Sequence, residues 1–281
     1  MDNRGIGYID SGLGGLTVVR EALKQLPNES VYFVGDEARM PYGPRPTAEI
    51  QKFTLQMADF LVEKHNIKTL VVACNTATAQ ALPQLKEHLE IPVIGVISAG
   101  AIGGIEATRN LHVNVIGTQS TVESKAYYDQ LMALNSDLVI EQKALPEFVQ
   151  LVESDMAGTP QGKQIVYQAI HNWMEESTNG KKADTLVLGC THFPILKKEI
   201  QAAVDKDVTI VDPALTEIRQ TIEILRKNNS FHDSKDINYH KKDVFYTTGN
   251  IDRFSKFTWK WLNDSDLTIK ELHIDQKGLK E

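Results

Sequence analysis

The sequence predicts an α/β fold with two pseudo-symmetric domains, each a mainly parallel sheet flanked by helices. Three observations predict it. Short apolar runs recur along the 281-residue chain, amphipathic stretches with helical spacing separate them, and the order strand, polar turn, helix appears in both halves. Short apolar strands that alternate with helices are typical of buried parallel sheets.

The strands are apolar runs, and the helices repeat apolar residues every three or four positions. Strands are predicted over 6–9, 31–35, 69–73, 92–96, 113–117, 137–141, 185–189 and 208–212, with further candidates at 244–248 and 268–274. Helices are predicted over 16–26, 48–65, 78–89 and 165–177. The polar segment 226–243 predicts an exposed connection or loose hairpin, and the tail 275–281 a frayed end.

The spacing of two polar turns indicates an internal repeat. Asp10 precedes Cys74 by 64 positions, and Thr118 precedes Cys190 by 72. We therefore expect residues 1–97 with 212–281 to form one domain and residues 98–211 the other. The alternative is coincidence, because any doubly wound protein repeats strand, turn and helix.

Composition argues against several classes of function. The net charge of −7 disfavours nucleic acid and anionic membrane as partners. No apolar window is long enough to cross a bilayer, and the N-terminal residues lack the apolar region of a signal peptide. The expected location is therefore the cytoplasm.

The cysteines are the strongest chemical signal. The chain has two, Cys74 and Cys190, and each follows an apolar strand and precedes small polar residues. Two thiols cannot form a tetrahedral zinc site and no CxxC spacing occurs, so no metal is expected. Ligands of open parallel sheets bind at the carboxyl ends of strands, where Asp10 and Thr118 also fall. If the halves face each other, both thiols point into one cleft.

Two separated thiols suit one reaction better than others. A cysteine protease needs one thiol with a histidine, and a redox pair is usually CxxC. Racemisation at a carbon acid needs one group to remove a proton and another to deliver one to the opposite face. A nearby helix N-terminus should lower each thiol pKa and bind a substrate carboxylate. Asp10 and His192 are the predicted polar neighbours that tune the two thiols.

Two further motifs each have a structural and a functional interpretation. The turn GLGG at 12–15 partly fits a nucleotide-binding fingerprint, but Thr17 stands where the third glycine belongs. The favoured interpretation is structural: glycines that close a tight strand-to-helix turn, which fits any ligand. The loop 38–43 either lines the cleft with Pro41 and Tyr42 or is an ordinary connection.

His232 and His240 are expected to be surface histidines.

Eight segments together carry a resemblance to a known family: IDSGLGGLTV (9–18), GDEARMPYG (35–43), ACNTATA (73–79), GTQST (117–121), LVE (151–153), GCTHFP (189–194), VDPA (211–214) and TTGN (247–250). With them the chain resembles the glutamate racemases, cofactor-independent enzymes that make D-glutamate for bacterial peptidoglycan. The resemblance implies an active site between the two domains. It implies that Cys74 takes the α-proton from D-glutamate and Cys190 that from L-glutamate, with Asp10, His192 and Glu153 assisting. The implied substrate contacts are Asp10, Ser11, Pro41, Tyr42, Gly43, Asn75, Thr76, Thr118, Thr121 and Thr191.

The resemblance also implies partners and leaves alternatives open. It implies L- and D-glutamate as substrates, no cofactor, a homodimer, a role in cell shape through the cell wall, and a regulatory interaction with DNA gyrase as one option. The chain departs from the family pattern in ISAG (97–100) and at Ser120. Aspartate or another amino acid as substrate, and a binding module without catalysis, are the competing hypotheses.

Overall fold

The computed structural model describes residues 1–176, 178, 181–232, 240–276 and 278–281. Residues 233–239 of the predicted connection 226–243 therefore lie outside the described residues. The chain divides into two compact units. Unit 1 consists of Met1–Val96 and Glu217–Glu281, and unit 2 of Ile97–Thr216.

Strands and helices alternate along most of the described chain. The strands are β1 (Ile6–Asp10), β2 (Val31–Gly35), β3 (Thr69–Val72), β4 (Val93–Gly95), β5 (His112–Gly117), β6 (Val139–Ala144), β7 (Thr185–Gly189), β8 (Thr209–Val211), β9 (Val244–Thr247), β10 (Thr268–Glu271), β11 (His273–Asp275) and β12 (Gly278–Lys280). The helices are α1 (Leu16–Gln25), α2 (Thr47–His65), α3 (Asn75–His88), α4 (Val96–Ala107), α5 (Gln119–Glu123), α6 (Ala126–Leu134), α7 (Pro146–Glu153), α8 (Pro160–Glu175), α9 (Lys197–Ala203), α10 (Pro213–Lys227) and α11 (Ile251–Leu262).

Each unit contains one all-parallel sheet. In unit 1 the strand order is β10-β9-β2-β1-β3-β4, and in unit 2 it is β6-β5-β7-β8. The order β2-β1-β3-β4 repeats as β6-β5-β7-β8, so the predicted α/β fold with two related halves is confirmed. β9 and β10, from the C-terminal part of the chain, extend the sheet of unit 1 beyond β2.

The central strands are buried along their whole length. β1, β3 and β7 expose almost nothing to solvent. A parallel sheet covered on both faces needs apolar residues at successive positions instead of an alternating pattern. This explains why the sequence shows continuous runs such as TLVLG. The core of unit 1 packs β1 and β3 against α2, with Met57 and Leu61 fully buried.

The prediction of a frayed C-terminal tail was wrong. Residues 278–280 pair antiparallel with β11, and Leu279 is buried in the core of unit 1. Glu281 forms ion pairs with Lys64, at 2.9 Å, and with Lys270. Glycine and charged residues suggested fraying, but one buried leucine and these ion pairs hold the segment against its unit.

The helix of residues 96–107 was not predicted. It is rich in glycine, which lowers intrinsic helix propensity. Tertiary packing accounts for it, because a Cβ on Gly100 would lie 2.6 Å from the Tyr127 hydroxyl oxygen. The atypical segment 97–100 lies within this helix.

No helix among the described residues combines the length and apolar character needed to cross a membrane.

Candidate active site

The first group of candidate residues lies at the carboxyl edge of the sheet in unit 1. β1 ends at Asp10, and Cys74 follows the neighbouring parallel strand β3 by two residues. The Ala73 amide donates to the Ile9 carbonyl at 3.1 Å, which extends the pairing to the base of the cysteine turn. Adjacent parallel strands therefore bring the carboxylate and the thiol to one edge.

The turn after β1 is tightly packed. The buried Asp10 accepts a hydrogen bond from the Gly12 amide at 2.9 Å through Oδ1. A Cβ on Gly15 would lie 2.5 Å from the Asp10 Cβ, so only glycine fits there without movement. Steric demand therefore explains Gly15 without a nucleotide.

Cys74 caps helix α3. Its sulfur accepts a hydrogen bond from the Ala77 amide at 3.4 Å, and the Ser11 hydroxyl oxygen lies 3.5 Å from the same sulfur. The helix begins at Asn75, three residues before its predicted start, because this cap satisfies an amide of the first turn.

The pKa of the Cys74 thiol is raised, whereas the sequence predicted a lowered value. Burial and, to a smaller extent, the negative charge of Asp10 raise the pKa of this thiol to about 12. Hydrogen bonds from Ser11 and Ala77 act in the opposite direction but are outweighed. The prediction of a lowered thiol pKa at this helix start was therefore wrong, because desolvation of the thiolate exceeds the stabilisation by the amide groups.

The loop of residues 38–43 is fixed to the end of β2 by Asp36. The fully buried Asp36 accepts hydrogen bonds from Arg39 Nε at 2.6 Å and from the Tyr42 hydroxyl at 2.5 Å through Oδ2. Its Oδ1 accepts from the Thr248 hydroxyl at 2.8 Å. The Tyr42 hydroxyl is thus engaged within the protein, whereas Pro41 beside it is exposed.

Asp36 and Thr248 did not enter the predicted site. Asp36 directly follows the buried strand β2, about 20 residues after GLGG, where a nucleotide-binding fingerprint places the acid that binds the ribose. A ribose-binding acid would need free carboxylate oxygens, and both oxygens of Asp36 accept hydrogen bonds from side chains of this chain. The contact with Thr248, 212 positions away, has no local sequence signal.

Asn75, Thr76 and Thr191 are buried, with exposed fractions of 3%, 3% and 6%. The first two open helix α3, and the third follows Cys190 in unit 2. Gly43 is half-buried in the loop after Tyr42.

The second group of candidate residues lies at the carboxyl edge of the sheet in unit 2. β5 and β7 are neighbours that end together at Gly117 and Gly189. Thr118 and Cys190 follow directly. The Thr118 hydroxyl caps helix α5 by accepting from the Thr121 amide at 3.2 Å, and the two threonine hydroxyl oxygens are 2.9 Å apart.

Cys190 belongs to a chain of three titratable side chains, of which Cys190 and His192 are buried and Glu153 is partly buried. Its sulfur lies 3.9 Å from His192 Nδ1, and His192 Nε2 lies 2.7 Å from Glu153 Oε1. Burial lowers the pKa of His192, but the hydrogen bonds to Cys190 and Glu153 outweigh it and leave the pKa raised. Glu153 ends helix α7, which packs against the cysteine turn through Phe148 and Phe193, with ring centroids 5.3 Å apart.

The two cysteine turns differ in their helices. After Cys190 comes a short 3-10 turn, Phe193–Leu196, and helix α9 begins only at Lys197. The expectation of a helix N-terminus at the sulfur therefore holds for Cys74 and is wrong for Cys190. In place of helix amides, Cys190 has an imidazole.

The known proteins that match this chain decide its family. A model of the Asp/Glu/Hydantoin racemase family matches residues 6–221. The chain belongs to this family. The chain is an amino-acid racemase, an isomerase of the class that works without pyridoxal phosphate.

Relatives across bacteria support the family assignment over the whole chain. The chain is 89% identical to a glutamate racemase of Oenococcus oeni over 281 residues, the full length of both. It is 47% identical to the glutamate racemase of Pediococcus pentosaceus, with 98% of this chain and 100% of the relative covered. The resemblance stated from the sequence motifs is thereby confirmed.

Solved structures agree in fold. The glutamate racemase isoform RacE1 of Bacillus anthracis superposes with a TM-score of 0.90 at 37% identity, covering 99% of this chain and 100% of that one. A glutamate racemase of Francisella tularensis, solved in complex with D-glutamate, gives a TM-score of 0.86 at 32% identity and covers 98% of this chain and 99% of that one. The fold of this racemase chain is therefore that of the glutamate racemases.

Proposed function

We propose that this racemase interconverts L- and D-glutamate with Cys74 and Cys190 as its two acid–base groups. One observation carries the proposal: each thiol lies at the carboxyl end of a central strand beside an ionisable side chain, Asp10 for Cys74 and His192 for Cys190. The 89% identity to a glutamate racemase supports glutamate as the substrate.

The proposed reaction moves two protons. From L-glutamate, the Cys190 thiolate takes the α-proton, and the Cys74 thiol delivers its proton to the opposite face of the resulting carbanion. Cys190 is then a thiol and Cys74 a thiolate, which is the state that D-glutamate requires for the reverse reaction. Both thiols must reach one α-carbon in this scheme, and general acid–base catalysis of this kind contributes roughly 10²–10⁴-fold to a rate.

The neighbours of the thiols favour different charge states. The Asp10 carboxylate and burial oppose negative charge on Cys74, so this sulfur keeps its proton and suits the role of acid toward the carbanion. A protonated His192, held by Glu153, stabilises negative charge on the nearby Cys190 sulfur. We propose Asp10, His192 and Glu153 as the groups that assist proton transfer.

We also propose that buried and loop residues of both units bind the substrate. Side-chain hydroxyls, an amide and backbone groups suit a ligand with two carboxylates and one ammonium. The proposed contacts are Asp10, Ser11, Pro41, Tyr42, Gly43, Asn75, Thr76, Thr118, Thr121 and Thr191.

Isotope exchange tests the activity. In D2O, the purified chain should incorporate deuterium at the α-carbon of L-glutamate and bring its optical rotation to zero without added cofactor. L-aspartate in the same assay separates the competing substrate, and we expect turnover at least about tenfold slower. Absence of exchange in both glutamate enantiomers would refute the proposal and leave a binding module.

We further propose that the product supplies D-glutamate for peptidoglycan and that the chain acts in the cytoplasm as a homodimer. Expression should rescue growth of a bacterial strain that requires external D-glutamate, whereas a Cys74→Ser, Cys190→Ser double variant should not. Light scattering of the purified protein measures its mass in solution, and a monomeric mass would contradict the dimer.

A further inference from the structure

A cavity in unit 2 lies outside the residues assigned to racemisation. It has a volume of about 610 Å³ and is lined by Gly158, Lys163, Gln164, Tyr167, Lys198, Glu199, Ala202 and Ala203. These residues come from the turn before α8, from α8 itself and from α9. The volume lies within the range of small-molecule sites, roughly 300–1,000 Å³.

Glu199 is the unusual member of this lining. Its side chain belongs to a residue that is only 8% exposed, and within the described residues it forms no ion pair or side-chain hydrogen bond. One carboxylate oxygen lies 3.9 Å from the position that a Cβ on Gly158 would occupy, so it stands at the wall of the cavity. A carboxylate at the wall of a cavity, with no partner from the described chain, is a suitable group to bind a cation.

The rim of the cavity carries the opposite charge. Lys163 and Lys198 are exposed, and neither forms an ion pair with Glu199 or with another described carboxylate. Tyr167 presents a ring that is 46% exposed and stacks on His171 with centroids 4.3 Å apart. The lining therefore offers one carboxylate, two ammonium groups and apolar surface between them.

We propose that this cavity binds a small amino-acid or peptide zwitterion, with its ammonium on Glu199 and its carboxylates near Lys163 and Lys198. An ammonium donates three hydrogen bonds and carries the charge opposite to that of the carboxylate. The two lysines select a ligand with more than one anionic group. The alanine side chains and Tyr167 pack against its carbon chain.

Calorimetric titration of the full chain tests the site, with the dipeptide L-alanyl-L-glutamate and free L-glutamate as separate probes. We expect saturable binding of at least one probe at this cavity. Glu199→Gln should weaken it about tenfold or more, because an ammonium loses its charged partner. N-acetyl-L-alanyl-L-glutamate, which has no ammonium, should bind wild type no better than it binds Glu199→Gln.

Surface variants keep the test independent of folding. Lys163→Gln and Lys198→Gln are exposed substitutions and should each weaken binding severalfold, whereas Lys197→Gln, on the same helix but outside the cavity, should not. A Cys74→Ser protein should bind the dipeptide normally, so the outcome does not depend on racemase activity. No saturable binding of either probe, or binding that none of the cavity substitutions alters, would overturn the proposal.

Discussion

The two cysteine turns occupy equivalent positions in two sheets of the same strand order, yet their surroundings differ. Cys74 caps a long helix and lies beside a carboxylate, whereas Cys190 precedes a 3-10 turn and lies beside an imidazole bound to a carboxylate. The two sheets share a topology and place their thiols at equivalent positions, but the electrostatic environments of the two thiols differ. In the proposed two-base mechanism, the two thiols therefore have matched positions but different neighbours.

The largest effect should come from removing either thiol. We expect Cys74→Ser and Cys190→Ser each to lower racemisation roughly 10³-fold, because each loses one of two proton-transfer groups. Residual α-deuteration in D2O should differ between the variants. It should favour L-glutamate in Cys74→Ser, where Cys190 remains, and D-glutamate in Cys190→Ser. The same preference in both variants would contradict the assignment of faces.

The second-largest effect should come from the cysteine turn of unit 2. Glu153→Gln removes the negative charge 2.7 Å from His192 Nε2, so the raised pKa of His192 should fall. Carbon NMR of the labelled imidazole measures this directly. We expect racemisation to slow about tenfold, less than on loss of a thiol. Glu147→Gln, on the same helix, is the control. An unchanged His192 titration would show that Glu153 does not set its charge.

Thiol ionisation tests the first turn. In Cys190→Ser, Cys74 is the remaining thiol, and its pKa is raised to about 12. At pH 9, where an ordinary thiol of pKa about 8.5 is mostly ionised, ultraviolet absorbance should detect no thiolate. Adding Asp10→Asn removes a negative charge, so the thiolate should then appear at lower pH. Full ionisation at pH 9 with Asp10 intact would contradict the role of burial.

Stability should depend on pH differently for the two turns. His192 and Cys74 both have raised pKa values in the folded state, so each stabilises the fold below its unfolded pKa and loses this contribution as pH rises. For His192 the loss begins near its ordinary pKa of 6.5, and for Cys74 near 9.0. Between pH 7 and 8.5, the free energy of unfolding, measured with denaturant, should therefore fall by up to about 1 kcal/mol per pH unit.

His192→Asn should flatten the decline in unfolding free energy between pH 7 and 8.5, whereas Cys74→Ser should leave it unchanged. Equal slopes of unfolding free energy against pH in wild type and His192→Asn would mean that folding does not raise the pKa of the imidazole.

The smallest effect should come from the helix cap of unit 2. Thr118→Ala removes the hydroxyl that accepts from the Thr121 amide, so the free energy of unfolding should fall by about 1 kcal/mol. Gln119→Ala, at the exposed neighbouring position, should cost less. Thermal or denaturant unfolding measures both, and equal losses would argue against a capping role.

Much of the fold was predictable because parallel sheets leave a strong local pattern. Continuous apolar runs and the repeat of turns indicated both sheets and brought Asp10 with Cys74, and Thr118 with Cys190, to strand ends. Helix α4 was not predicted because its glycines lower helix propensity. The packing on Tyr127 that compensates for them joins residues that are distant in sequence. The tail escaped because Leu279 becomes buried only against its folded unit.

The chemistry of the candidate site was harder to predict than its position. A sequence identifies a thiol near a helix start, but the pKa depends on the balance of burial, Asp10 and donor groups in three dimensions. Likewise, the contact of Glu153 with His192 joins residues 39 positions apart. Only the family resemblance, and no local pattern, linked that glutamate to the cysteine turn.

The packing around Gly15 and Gly35 bears on how mutational surveys of this enzyme should be interpreted. A Cβ on Gly15 would lie 2.5 Å from the Asp10 Cβ, and one on Gly35 would lie 2.7 Å from the Gly12 carbonyl oxygen. Substitutions at these glycines would displace the carboxylate that faces Cys74 without altering a single reactive group. In a library screened for activity, such positions would score as intolerant as the thiols themselves, for reasons of volume alone.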